Sequence, residues 1–105
     1  QDALWNKILA AVKEKKIPTH ALLVQGKLLG IKDDTVYIAY KKGYKFHKER
    51  MEEKGNREIL AQAIKETMGR DMESQFIFLD DDQYNDIIVK KAIEFFGEEL
   101  VEIKD

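Results

Sequence analysis

The sequence predicts a small two-layer α+β domain, a three-stranded and mainly antiparallel sheet with helices on one face. Three observations predict it. Segments of high β-propensity alternate with apolar stripes of helical period. Breaker and turn residues separate them at Pro18, Asp33, Asp34, Gly55 and Gly69. The chain has 105 residues, 44% hydrophobic and 36% charged, which suits one compact core with a well-solvated surface.

The first element reads as a helix. Asp2 can cap it, since a carboxylate accepts from the free amides of the first turn. Leu4, Trp5, Ile8, Leu9 and Val12 share one face. Lys13, Lys15 and Lys16 complement the dipole at its end, and Pro18 stops it. A hairpin is expected next. Residues 21–24 and then Leu28, Leu29 and Ile31 read as one strand, bulged or broken by Gly26 and Gly30. After the turn residues 32–34, residues 35–40 read as its partner, with Val36, Ile38 and Tyr40 on one face and Thr35, Tyr37 and Ala39 on the other.

Two helices follow. Tyr44, His47 and Met51 mark the first, with Phe46 and Arg50 beside them. Gly55 is expected to break it and Asn56 to cap the second. Ile59, Leu60, Ala63, Ile64, Thr67 and Met68 form the stripe of that second helix, and Gly69 suits a left-handed terminator. Residues 74–79 are almost continuously apolar, which predicts a third strand in a central position. Residues 1–80 therefore read as one compact unit, bounded by the acidic run Asp80, Asp81 and Asp82. Residues 81–105 read as a helix from about Gln83 to Phe96, closed by Gly97, and a charged tail. The order α-β-β-α-α-β plus a C-terminal helix matches a type II KH arrangement.

Several functions are excluded or unsupported. The chain has no cysteine, so disulfides, thiolate metal sites and cysteine nucleophiles are ruled out, and a reducing cytosol fits. No apolar run approaches the roughly 18 residues of a membrane span. The start is neither a signal peptide nor an initiator methionine, so the chain is expected to be a segment of a longer protein. The only serine, Ser74, is not in a nucleophile elbow. His20 and His47 lack partners nearby in sequence and read as structural. Asp80, Asp81, Asp82 and Asp86 lack the spacing and glycine of a calcium loop, and read as a solvated helix start. The expectation is a non-enzymatic domain with no cofactor and no metal.

Two regions carry binding chemistry. Lys41, Lys42, Lys45, Lys48, Arg50, Lys54 and Arg57 form a basic region interleaved with Tyr40, Tyr44 and Phe46. Single-stranded nucleic acid could stack on such aromatics, with Lys45, Lys48, Arg50, Lys54 and Arg57 holding phosphates. A KH loop needs Gly-x-x-Gly, however, and here Glu58 replaces the second glycine. Glu49, Glu52 and Glu53 also dilute the charge. The plainer reading puts the aromatics in the core and the lysines on its rim. Charge is uneven along the chain, +2 over residues 1–40, +4 over 41–70 and −8 over 71–105, which opposes one continuous nucleic-acid footprint. The second region is the apolar set Phe95, Phe96, Leu100, Val101 and Ile103, which can dock into a partner groove or fold back over the sheet. Trp5 reads as a core anchor.

A family resemblance rests on Trp5, residues 8–13 and 20–23, the second strand, and residues 45–48. It continues through Ile59, Leu60 and residues 68–70, and its most distinctive part is the ending over residues 92–103. These features resemble the carboxy-terminal region of bacterial DNA polymerase III subunits γ and τ, most like versions from Gram-positive lineages. The resemblance implies a KH-like fold and a cytoplasmic replisome scaffold. It also implies tethering of the polymerase III α subunit or the replicative helicase to the clamp loader. The family's clamp-loader ATPase lies elsewhere in the parent chain; this segment has no phosphate-binding loop, so ATP binding does not carry over.

Overall fold

The computed structural model describes residues 2–86. The elements run α1 (Asp2–Lys15), α2 (Ile17–Leu23), β1 (Lys27–Lys32), β2 (Thr35–Lys41) and a 3-10 turn (Lys42–Tyr44). They continue with α3 (Lys45–Met51), α4 (Lys54–Met68), β3 (Glu73–Leu79) and α5 (Asp81–Tyr84). The expected α+β class stands, and the expected order is present with one helix, α2, inserted.

That insertion corrects the reading of residues 21–24 as strand. Pro18 ends α1 and also opens α2, because its fixed φ and missing N–H suit the first turn of a helix. Leu23 is buried while Ala21 and Val24 are exposed, a one-sided helical pattern.

The sheet order is β1-β2-β3. Strand β2 pairs antiparallel with β1 and parallel with β3, so the sheet is mixed. Helices α3 and α4 provide the long crossover that a parallel pair requires. The bulge expected in the first strand is present: the register slips between Leu28 and Gly30. Lys32 pairs with Thr35 across a two-residue turn in which Asp33 takes a left-handed φ of 56°.

Strand β3 is an edge strand, not the central one expected. Its apolar run arises because both of its faces are covered for part of their length. Phe76 faces the helices, while Ile77 and Leu79 join Leu29, Ala39 and Tyr84 on the opposite face. The central strand is β2, where Val36, Ile38, Ala39 and Tyr40 have no exposed surface.

On the helix side, Trp5, Ile8 and Val12 of α1 meet Leu60, Ala63 and Ile64 of α4 over Val36, Ile38 and Tyr40. Burying each such side chain is worth about 1.5–3 kcal/mol. Helix α4 ends as expected at Gly69, whose φ is 82° and whose amide donates to Lys65 O. It starts earlier than expected. The chain breaks at Glu52 and Glu53, and Gly55 lies inside the first turn of α4. Asn56 is therefore not the cap. Helix α5 begins at Asp81, where Asp80 and Gln83 form a reciprocal capping box. The expected capping by Asp2 concerns a side chain outside those described. The expected helix beyond residue 86, its stop at Gly97, and Phe95, Phe96, Leu100, Val101 and Ile103 also lie outside the described residues.

Two close fits hold the core. Gly26 is buried against β2, and an added Cβ would sit 3.0 Å from Ile38 Cγ2 and 3.0 Å from Tyr40 Cζ. The Tyr40 hydroxyl donates to Leu22 O at 2.8 Å. Burial pushes this phenol above its ordinary value.

Gly26→Ala is expected to cost about 1–3 kcal/mol by overpacking the Ile38 and Tyr40 side chains, measured by urea unfolding. The raised Tyr40 value means that the unfolded chain releases its phenol proton first. Stability should therefore be intact below about pH 10 and fall above it, where unfolded phenols ionise. Tyr40→Phe should remove part of this alkaline loss in Tm-versus-pH scans, while costing about 1 kcal/mol at neutral pH through the lost hydrogen bond.

Candidate functional site

The basic region folds as one ridge, from the 3-10 turn through α3 to the first turn of α4. Met51 anchors it in the core, and Tyr44 packs against that core. The ring of His47 lies edge-on to Tyr44 at 5.3 Å and to Phe46 at 5.9 Å. Its Nδ1 is shut off from solvent without a hydrogen-bond partner among the described residues. The imidazole works here as an aromatic spacer.

The five cations expected to meet phosphates do share this region. Most are already engaged by the domain itself. Lys45 lies 4.0 Å from Glu49, Lys48 2.9 Å from Glu52, and Arg50 3.2 Å from Glu53. Each acid sits three or four residues after its base, so the helix period brings them together. Arg57 donates to Ser74 O at 3.0 Å and lies over the Phe76 ring, tying α4 to β3. Lys54 is exposed and makes no ion pair among the described residues.

The aromatics are divided between core and surface. Tyr40 is wholly buried and cannot stack on a base. Phe46 is 59% exposed and Phe78, at the end of β3, is 37% exposed. Both carry cations from their own chain: Arg50 lies 5.1 Å from the Phe46 centroid and Lys48 5.3 Å from that of Phe78. The sequence did not show that Phe78 would join this ridge, because that depends on β3 being an edge strand.

Beside the ridge, an open groove of about 550 Å³ runs between the α3–α4 junction and the outer edge of β3. Glu52, Lys54, Arg57, Glu58, Met72 and Ser74 line it. With Glu73 also on its wall, three acids, Glu52, Glu58 and Glu73, face two bases, Lys54 and Arg57. Asn56 braces the junction from behind. Its Oδ1 accepts from the buried Thr19 hydroxyl at 2.6 Å, and its Nδ2 donates to Arg50 O at 2.8 Å. One side chain thus ties α2, α3 and α4 together.

His20 sits half-buried on α2, next to the Thr19 that bonds to Asn56. Asp80 is occupied as a helix cap. Among the described residues, no group of three or more His, Asp or Glu side chains is placed to hold a metal ion. None of the described helices is long and apolar enough to cross a membrane.

A mixed three-stranded sheet with α1 to α4 layered on one face defines a small α+β domain built to present helix and edge-strand surfaces. The family profile described as DNA polymerase III subunit tau, C-terminal domain, matches residues 2–84, and the chain belongs to that family. It is therefore a domain of a replicative polymerase subunit. No curated protein and no solved structure matches it.

Asn56→Ala should leave the buried Thr19 hydroxyl without its partner and take the side-chain donor from the Arg50 carbonyl, which keeps the Glu53 amide. The expected loss is about 1–3 kcal/mol in a denaturant titration, well above that of an exposed polar-to-alanine change.

Proposed function

We propose that this chain is a noncatalytic protein-interaction domain of the polymerase III τ subunit. It tethers a replication partner, the polymerase α subunit first and the replicative helicase second, to the clamp loader. Its setting would be cytoplasmic. The physical work is raising a partner's effective concentration without chemistry. The carriers on this reading are the apolar side chains of the last segment, Phe95, Phe96, Leu100, Val101 and Ile103.

The observation that supports this over nucleic-acid binding is the internal pairing of the basic ridge. A phosphate backbone gains affinity by releasing counterions from unpaired cations. Here Lys45, Lys48 and Arg50 each face an acid one helical turn away, and Arg57 is spent on a backbone carbonyl. A surface whose cations are mostly paired and which is partly aromatic suits a protein partner better than a polyanion.

Replacing Leu100, Val101 and Ile103 together with Asp is expected to weaken binding of purified α subunit at least tenfold while the far-UV spectrum and Tm stay unchanged. Full affinity in that triple variant would refute the tail-tethering reading. A parallel titration with labelled single-stranded DNA at two salt concentrations should show little binding. Tight, salt-sensitive binding weakened by Lys48→Ala and Arg57→Ala would instead favour the KH-like nucleic-acid reading.

A further inference from the structure

The sheet has two edges, and they are built differently. Strand β1 carries Lys27 and Lys32 at its ends, and its register slips between Leu28 and Gly30. Lysines and a bulge are common guards against pairing with another chain. Strand β3, on the other edge, has no lysine and no proline, and its seven residues keep an unbroken register with β2.

Hydrogen bonds fix which backbone groups this open edge presents. The Glu73 amide donates to Asp34 O at 2.8 Å, so the backbone of Glu73 turns toward β2. Backbone direction alternates along a strand, so Ser74, Phe76 and Phe78 turn their N–H and C=O groups outward. The Arg57 guanidinium agrees with this phase, since it reaches Ser74 O from α4 at 3.0 Å. Among the described residues no strand pairs with the outward side. Phe76 faces the helices, and the strand period puts the side chains of Ser74 and Phe78 on the same face.

The groove beside this edge has two unlike ends. At the Ser74 end stand Glu58 and Glu73, both exposed and without an ion pair among the described residues. Glu52 is held by Lys48 and Arg57 is held by Ser74 O, so Lys54 alone opposes these two acids. At the Phe78 end stands a partly exposed ring.

We propose that an extended peptide of a partner protein adds to β3 as a fourth, antiparallel strand. It carries an apolar side chain opposite Phe78 and, four residues later, a lysine or arginine opposite Ser74 and beside Glu58. Residues opposite Phe76 and Phe78 then exchange both backbone hydrogen bonds with the edge. Ser74 O keeps Arg57 on one lone pair and offers the other. Main-chain bonds supply affinity, and the acidic and aromatic ends supply specificity. A second copy of this chain fits less well, because its own β3 brings another acid and no cation. A phosphate backbone would meet Glu58 and Glu73 and has no amides to offer the edge. This surface is separate from the tail residues of the tethering reading and does not rest on them.

The probe is a blocked heptapeptide of threonine with leucine second and lysine sixth, added to the isotope-labelled 105-residue chain. The amide resonances of Ser74, Phe76 and Phe78 should shift together. N-methylation at the fourth peptide position, opposite Phe76, should weaken binding at least tenfold. Glu58→Lys should weaken it at least threefold and favour the peptide with glutamate sixth. No shift, equal affinity of the N-methylated peptide, or indifference to Glu58→Lys would each overturn the proposal. So would dimerisation of the free chain through β3, or single-stranded DNA shifting these amides where the peptide does not. In the triple variant of Leu100, Val101 and Ile103 the peptide should bind as before. Binding seen only in that variant would give the edge to this chain's own last residues and overturn the proposal as well. Affinity of the α subunit for the triple variant is a separate readout, so failure here and failure of tethering are distinguishable.

Discussion

A three-stranded sheet has one strand with neighbours on both edges, and the fold is organised by β2 occupying that place. Its backbone groups are used on both sides, and its side chains are buried above and below the sheet. A strand buried on both faces must be covered twice. Helices α1 to α4 provide one cover, over Val36, Ile38 and Tyr40. The chain after β3 turns at Asp80 to begin the other, over Ala39. Tyr40 adds a constraint of its own. A phenol in the core must satisfy its hydroxyl, and the carbonyl of Leu22 does so. That hydrogen bond sets α2 against the sheet, and the glycine at position 26 lets the backbone pass close over the same ring.

The ridge on α3 follows a different logic. Its ion pairs are exposed and contribute little to stability. Their effect is on the charge the surface presents. Lys45, Lys48 and Arg50 each face an acid within a helical turn, and Arg50 and Lys48 shade the two exposed rings, Phe46 and Phe78. The α3 face therefore offers neither a bare cation row nor a bare apolar patch. A partner that displaces a cation from its ring gains aromatic contact and leaves the cation beside its acid.

The sequence carried the helices' apolar stripes, the strands around Val36 and Phe76, the bulge near Gly30 and the Gly69 terminator, because each depends on local period and backbone preference. It misled where one residue has two roles. Pro18 stops one helix and starts the next, so a four-residue apolar run after it looked like strand. The apolar run at residues 76–79 suggested a central strand, although burial on two faces by different elements gives the same pattern at an edge. Asn56 looked like a cap by residue type, yet its amide is used across three helices. The basic residues were found as a set. Their neutralisation was legible in the spacing of Glu49, Glu52 and Glu53, whereas the binding of Arg57 to Ser74 O depends on tertiary placement alone.

Tethering places a further demand on such a domain. Effective concentration falls as a flexible connection lengthens, so a tether gains from leaving its domain at a fixed point. In this chain the reciprocal bonds between Asp80 and Gln83, and the seating of Tyr84 on the second face, fix the direction in which the backbone leaves β3.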